Sequence, residues 1–418
     1  MEQNREAGNS IVARFFRGDK VLWITAAVLA VISVLVVYSS TAKMAYSAST
    51  LRSSAHFLRD QILILVISLV ALLIASRVKS RLYNYLSKIF YFIFLLLTVS
   101  VYFIGTTTNG AARWIPLMGF NLQPSEGLKV ATILFLARQL AVRQKVIESL
   151  TILPSLNPFR WREEGQQRIW REGTWPILMP MVASCVVIFP AHTSSAVLVF
   201  FTSLVMMLIG RVRLKEILKV IGVALIAVVL IMSLNLGRSE TAGGRVSTCI
   251  ELWSEDRTLV PSDEFTDTER SMIAIHNGGV VGLGAGQSAM RVEMTHPESD
   301  YAYAFFIEEY GIIMGVLLLM LYLWIFFRAI LIFERCGTAF PGLMALGLAM
   351  LITSQALLHI MVTINLIPET GQTLPLISRG GSSTLFTAMA LGMILSVSRQ
   401  NEEQSHDKPK DQNIPLQS

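Results

Sequence analysis

Charge is scarce in this chain: only 15% of its 418 residues are Asp, Glu, Lys or Arg, against 53% hydrophobic. A soluble domain of this length seldom carries so little charge. Apolar runs of about 18 residues or more recur along it, which excludes an ordinary globular class. Cysteine is scarcer still. Cys185, Cys249 and Cys336 lie far apart and fit no metal spacing, and only Cys249 is expected to face outward, so no internal disulfide framework is expected. A cleavable secretory signal is also missing: residues 1–20 are polar and lack a cleavage site, so the first apolar run is expected to remain as a helix. Continuous runs such as ILILVISLVALLIAS stand where a transmembrane β-barrel would show short alternating segments. What remains is an all-α polytopic membrane protein. Its net charge of +6 then concerns loop placement and calls for no nucleic-acid partner.

Hydropathy predicts about ten transmembrane helices, over 22–41, 58–77, 87–105, 125–141, 175–191, 194–210, 214–236, 301–333, 339–366 and 381–398. With both termini cytoplasmic, 24 of the 35 basic residues fall in cytoplasmic segments, as the positive-inside rule requires. The expected organisation is a cytoplasmic tail at 1–20, a membrane domain at 21–398, and a polar, disordered cytoplasmic tail at 399–418. The largest external loop, 237–300, joins the seventh and eighth helices. It has 11 acidic residues against five arginines and no lysine. No internal repeat of the transporter kind is visible.

Four polar clusters interrupt the apolar pattern, and this topology places all of them on the outer side. In NGAARWIPLMGFNLQPSEGLKVA, 109–131, Pro124 breaks the chain and Ser125 can cap the next helix. Glu126 and Lys129 share a helical face and are close enough to pair. Such a pair lets a short helix enter the membrane, while Arg113 and Lys129 can also attract an anionic ligand. The glycines of IHNGGVVGLGAGQSAMRVE, 275–293, suit a tight re-entrant turn; no Gly-Lys-Ser/Thr follows to make a phosphate loop. In THPESDYAYAFFIEEYG, 295–311, Thr295 and Glu298 fit a capping box that starts a helix before the membrane. Asp300 is left over at the mouth of the span. Glu308 and Glu309 lie about 12–13 Å deeper, about 80° and 180° around the helix from it. An ion pair with neighbouring helices is the default for these two, since intramembrane charge usually faces a bundle or cavity. In TINLIPETGQTLPLISRGGSST, 363–384, prolines and glycines preclude a continuous helix. Here Arg379, with Ser382 and Ser383 at a helix start, either holds a phosphate or simply anchors a turn at the interface.

Taken in order, NGAARWIPLMGFNLQPSEGLK, GGVVGLGAGQS, PESDYAYAFFIEEYG and PETGQTLPLISRGGSS resemble the signatures of the SEDS (shape, elongation, division, sporulation) family over residues 20–398. GDKVLWITAAVLAVISVLVVYSS and LPLISRGGSS look more like its division member than its elongation member. The resemblance implies a peptidoglycan glycosyltransferase at the outer face of the bacterial cytoplasmic membrane, at the septum. It would polymerise lipid II and release undecaprenyl pyrophosphate. A class B penicillin-binding protein and division-complex membrane proteins are the implied partners.

The family's essential aspartate falls on Asp300, and its Gln-Pro-Ser-Glu-x-x-Lys on Gln123, Pro124, Ser125, Glu126 and Lys129. Two departures stand out. His296 precedes Pro297 where the family's histidine follows the proline and glutamate. PAHTSSA, with His192, replaces a frequent Pro-Asp-Leu-Gly-Thr. The implied chemistry makes Asp300 a general base, worth about 10²–10⁴-fold when well placed. Arg113, Gln123, Ser125, Glu126, Lys129, Arg379, Ser382 and Ser383 are the candidate substrate contacts. A divalent cation (Mg or Mn) is a candidate helper, with Asp300 its candidate ligand. Glu298, Glu308 and Glu309 are expected to be structural. A lipid II flippase, an elongation-type polymerase and a recruiting scaffold are the rival readings.

Overall fold

The computed structural model describes residues 17–40, 54–108, 111–117, 120–145, 147, 170–233, 239–254, 265–290, 293–294 and 299–406. Helices dominate them. They are α1 (Lys20–Ser40), α2 (Ser54–Arg77), α3 (Ser80–Ile104), α4 (Pro124–Val142), α5 (Trp175–Ile188), α6 (Thr193–Ile209) and α7 (Leu214–Ser233). After these come α8 (Ser239–Ser254), α9 (Asp267–Gly278), α10 (Ala302–Glu334), α11 (Ala339–Thr363) and α12 (Gly381–His406). Among the described residues, six helices are long and apolar enough to cross a membrane: α1, α2 from Leu58, α3, α10, α11 and α12 to Ser405. The chain is therefore a polytopic helical membrane protein.

Burial separates these helices into two kinds. α11 and α12 are mostly enclosed and α4 is buried on every side over its first three turns, so these three form the centre. α2 and α3 instead turn Ile62, Val66, Val70, Phe92, Leu96 and Phe103 outward, as lipid-facing helices do. α7 stands at the edge, packed on α6, with Ile226 and Val229 exposed.

Several expectations need correction. The chain is not purely helical: β1 (Thr106–Thr108), β2 (Ala111–Leu117) and β3 (Phe120–Leu122) form an antiparallel sheet in the order β1-β2-β3. Thr108 pairs with Ala111 across Asn109-Gly110, the strongest short-range hairpin signal a sequence can carry. α4 begins at Pro124 with Gln123 as N-cap, so Ser125 lies inside the first turn and does not cap. The loop at 237–300 carries α8 and α9, and the capping box found there is Thr266 with Glu269 at the start of α9. α10 starts at Ala302, after a turn at Ser299–Asp300, later than the Thr295 start expected; Thr295, His296 and Glu298 lie outside the described residues. α12 continues to His406, into the segment expected to be disordered. There Gln400 accepts from the Ser80 hydroxyl at 2.7 Å and Glu402 from the Gly18 amide at 3.2 Å.

α10 is also broken. Gly311 has φ 83° and ψ 167°, a region essentially restricted to glycine. There the chain crosses the 279–284 turn so closely that a Cβ on Gly311 would lie 2.3 Å from the Val280 carbonyl oxygen. Carbonyls freed by the break find donors in that turn: Leu283 N–H to Glu308 O and Gly284 N–H to Glu309 O, both 2.9 Å. Ile312 N–H donates in return to Gly279 O at 2.9 Å.

Candidate functional site

The polar motifs converge at one end of the bundle. At the start of α4, Lys129 Nζ lies 2.8 Å from Glu126 Oε1, with the two residues 1% and 7% exposed. Lys129 also donates to Gln355 Oε1 at 2.9 Å, and Gln355 Nε2 donates to Thr373 O at 2.9 Å. The Gln123 amide donates to Ser382 Oγ at 3.2 Å, and Gln123 Nε2 to Ser125 Oγ at 3.2 Å. Thr373 Oγ1 donates to Ser383 Oγ at 2.9 Å. Ser382 and Ser383, read as phosphate contacts, are therefore buried in bonds between α12, α4 and the segment before α12. Arg379 is half-buried beside them. Gly127 lets this corner close, because a Cβ there would meet the Phe94 ring at 2.3 Å and that of Phe386 at 2.8 Å.

The segment between α11 and α12 acts as a strap across this end. Ser194 Oγ donates to Thr370 O at 2.9 Å, and Arg245 of α8 to Glu369 O at 3.2 Å. Gln372 Nε2 reaches Ser195 Oγ at 2.8 Å, Ser194 Oγ at 3.0 Å and His192 Nδ1 at 3.2 Å. His359 Nδ1 donates to Gln372 O at 2.7 Å, and its Nε2 accepts from the Tyr303 amide at 3.4 Å. Because a carbonyl only accepts, this pair of bonds fixes the His359 tautomer with the proton on Nδ1.

His192 is the N-cap of α6 and borders a small cleft. Thr98, Val101 and Tyr102 of α3 form one wall; Arg113, Gln123 and Ser125 form another. Arg113 Nε donates to Ala191 O at 2.9 Å. Burial, then the Arg113, Lys129 and Arg245 cations, push the His192 pKa down to about 3, so the imidazole is neutral at physiological pH. The cleft is therefore a cationic corner with an uncharged ring at its edge.

Asp300 occupies the turn before α10 and is half-exposed. Ser299 Oγ donates to Asp300 Oδ1 at 3.1 Å, and Ser378 Oγ holds the Ser299 carbonyl at 2.8 Å. Burial, followed by the Glu369, Asp267 and Asp300 carboxylates, pushes the neighbouring Tyr301 phenol up, so this side of the site is acidic. Among the described residues, no set of three or more His, Cys, Asp and Glu converges on a metal position.

Glu308 and Glu309 lie deeper, both buried. Glu308 accepts from Ala289 N at 3.1 Å, Met290 N at 3.3 Å, Asn277 Nδ2 at 3.5 Å and the Ser288 hydroxyl. Glu309 accepts from Gly286 N at 2.9 Å and from the Ser39 hydroxyl of α1. For Glu308 these donors replace the ion pair expected by default. Four residues escaped the sequence reading: Arg245, Gln372, and Gln355 and His359 of α11. The last two had a signal, being polar side chains at i, i+4 on an apolar helix.

A helical bundle with apolar outer walls and a polar, charged cluster at one end defines an integral membrane protein. Residues 19–403 match the FTSW_RODA_SPOVE family, described as cell cycle protein, and the chain belongs to this family, the SEDS family. It is 28% identical over 388 residues to Stage V sporulation protein E of Bacillus subtilis, covering 91% of this chain and 97% of that protein. It is 26% identical over 409 residues to a "Probable peptidoglycan glycosyltransferase FtsW" of Thioalkalivibrio sulfidiphilus, covering 96% and 95%. The fold matches a chain from a solved structure described as "Structural coordination of polymerization and crosslinking by a peptidoglycan synthase complex", with a TM-score of 0.67 at 20% identity over 92% of this chain and 99% of that one. It also matches Thermus thermophilus Rod shape determining protein RodA, with a TM-score of 0.60 at 20% identity over 93% and 99%.

Proposed function

We propose that the chain is a peptidoglycan glycosyltransferase that polymerises lipid II on the outer side of the cytoplasmic membrane, releasing undecaprenyl pyrophosphate, for septal wall synthesis. In this reading ten helices span the membrane, α1 to α7 and α10 to α12. Both termini are cytoplasmic, and the 237–300 loop is external. A class B penicillin-binding protein and division-complex membrane proteins are its partners.

One observation carries the reading. The Arg113–His192 cleft is walled by α3, whose Tyr102, Phe103 and Ile104 are 43%, 83% and 64% exposed at the same end. A cationic cleft opening beside a lipid-facing helix end suits a polyprenyl pyrophosphate, whose two parts need those two surroundings. Arg113, with Lys129 and Arg245 behind it, stabilises negative charge as it grows on the leaving pyrophosphate. Asp300 takes the proton of the acceptor hydroxyl. That oxygen bonds to the anomeric carbon while the bond from that carbon to the pyrophosphate oxygen breaks, and the pyrophosphate departs with the electron pair. Glu308, held by two amides, an asparagine and a serine, serves as a structural acceptor, which argues against the carrier role that a flippase would assign it.

The test is polymerisation of labelled lipid II by the purified chain with its cognate class B penicillin-binding protein, transpeptidation inhibited. Wild type is expected to make polymer, and a folded, partner-binding Asp300→Asn variant none. Equal polymer from both removes Asp300 from the chemistry; none from either, with an intact complex, overturns the reading.

A further inference from the structure

Gln372 lies in the strap and is only 3% exposed. Its side chain bonds to the start of α6 and its backbone carbonyl to His359 of α11. The amide nitrogen spans His192, which borders the cationic cleft, and Ser194 and Ser195 in the first turn of α6. The carbonyl receives His359 Nδ1–H, and His359 Nε2 in turn receives the Tyr303 amide. Tyr303 is in the first turn of α10, whose N–H groups have no partner within the helix and must find one elsewhere. Asp300 sits in the turn immediately before it. Nearby bonds make the same link: Leu374 N–H donates to Ser378 Oγ at 2.8 Å, and Ser378 Oγ to Ser299 O at 2.8 Å.

We propose that Gln372 is a positioning residue for glycosyl transfer: its side-chain amide sets the His192 edge of the cleft, its carbonyl sets the start of α10 through His359, and so one residue couples the leaving-group corner to the turn that carries Asp300. This rests on the function proposed above. The chemical reason is that base and leaving group must act on the same anomeric carbon, and the two come from elements far apart in sequence. A small error in their separation is costly to the reaction while leaving each half of the ligand's contacts intact. Gln372 need not touch substrate for this role.

The experiment compares full-length wild type, Gln372→Met, Gln372→Glu and His359→Phe, each with the cognate class B penicillin-binding protein in proteoliposomes. Initial rates are measured over a range of lipid II concentrations, with thermal unfolding as the folding check. Gln372→Met keeps the volume and removes every side-chain bond. Its kcat is expected to fall about 100-fold with KM changed by no more than about twofold, the signature of lost alignment. Gln372→Glu can accept from the Ser194 and Ser195 hydroxyls once they turn, and is expected to recover part of kcat. His359→Phe cuts the other arm and is expected to show the same split. A raised KM with unchanged kcat, or unchanged kinetics in Gln372→Met, overturns the proposal. So does a normal kcat in His359→Phe, which breaks the link to α10. An inactive wild type instead overturns the underlying function, and the two failures are thereby separate.

Discussion

Replacing Lys129 by methionine leaves a buried carboxylate without its cation. The pair is almost wholly enclosed, at 2.8 Å and side-chain exposures of 2% and 9%. With an effective dielectric constant of about 20, the Coulomb attraction at the 2.8 Å separation is about 6 kcal/mol, before desolvation is set against it. Desolvation cancels much of that in the intact protein. In the single variant the carboxylate's desolvation penalty stays while the attraction is gone. Lys129→Met is therefore expected to cost about 3–5 kcal/mol. Gln355 Oε1 loses its donor as well. In the double variant Glu126→Gln/Lys129→Met the lone charge is gone, and stability should return to within about 1 kcal/mol of wild type. Denaturant-driven unfolding of the four proteins in mixed micelles, read as a double-mutant cycle, measures the coupling. A loss under about 1 kcal/mol in Lys129→Met, with no coupling in the cycle, would refute the reasoning: the lysine would then stand in water that the bundle admits.

The remaining predictions concern acid and backbone. Because the His192 pKa is lowered from 6.5 to about 3, the unfolded chain binds this proton first. Its effect on stability is absent above about pH 6.5 and grows as pH falls toward 3, at about 1.4 kcal/mol per unit. His192→Gln should flatten that slope in a series of unfolding midpoints from pH 7 to pH 4, and an unchanged slope would rule it out. Gly311→Ala forces a side chain into φ 83° and against the Val280 carbonyl, so a loss of at least about 2 kcal/mol is expected in the same unfolding assay. An alanine variant as stable as wild type would mean that the helix is continuous there.

The sequence disclosed what is local. Helices appear as apolar runs because a bilayer demands length and hydrophobicity of each element separately. The Glu126–Lys129 pair follows from three-residue spacing on a helix, whereas the Asn109-Gly110 signal of the β1–β2 hairpin was passed over in expecting helices alone. Long-range features were hidden. Nothing beside Gly311 discourages a helix; the break comes from the 279–284 turn crossing it. Ser382 and Ser383 read as phosphate contacts because a helix start offers free donors, yet Gln123 and Thr373, far off in sequence or behind a turn, claim their hydroxyls. The strap was visible only as an irregular stretch. Its meaning lies in partners at His192, Arg245, Ser299, His359 and Gln355, which no spacing rule connects.

The break in α10 has a mechanical consequence. A continuous helix would behave as a stiff rod, so any push on its long lipid-facing limb, 312–334, would arrive undiminished at the turn carrying Asp300. Here the limb's first amide is tied to Gly279, and the stub above it to Leu283 and Gly284. Limb and stub are thus both braced on the 279–284 turn, so a load on the limb is shared with that turn instead of passing along one unbroken rod to the turn that carries Asp300.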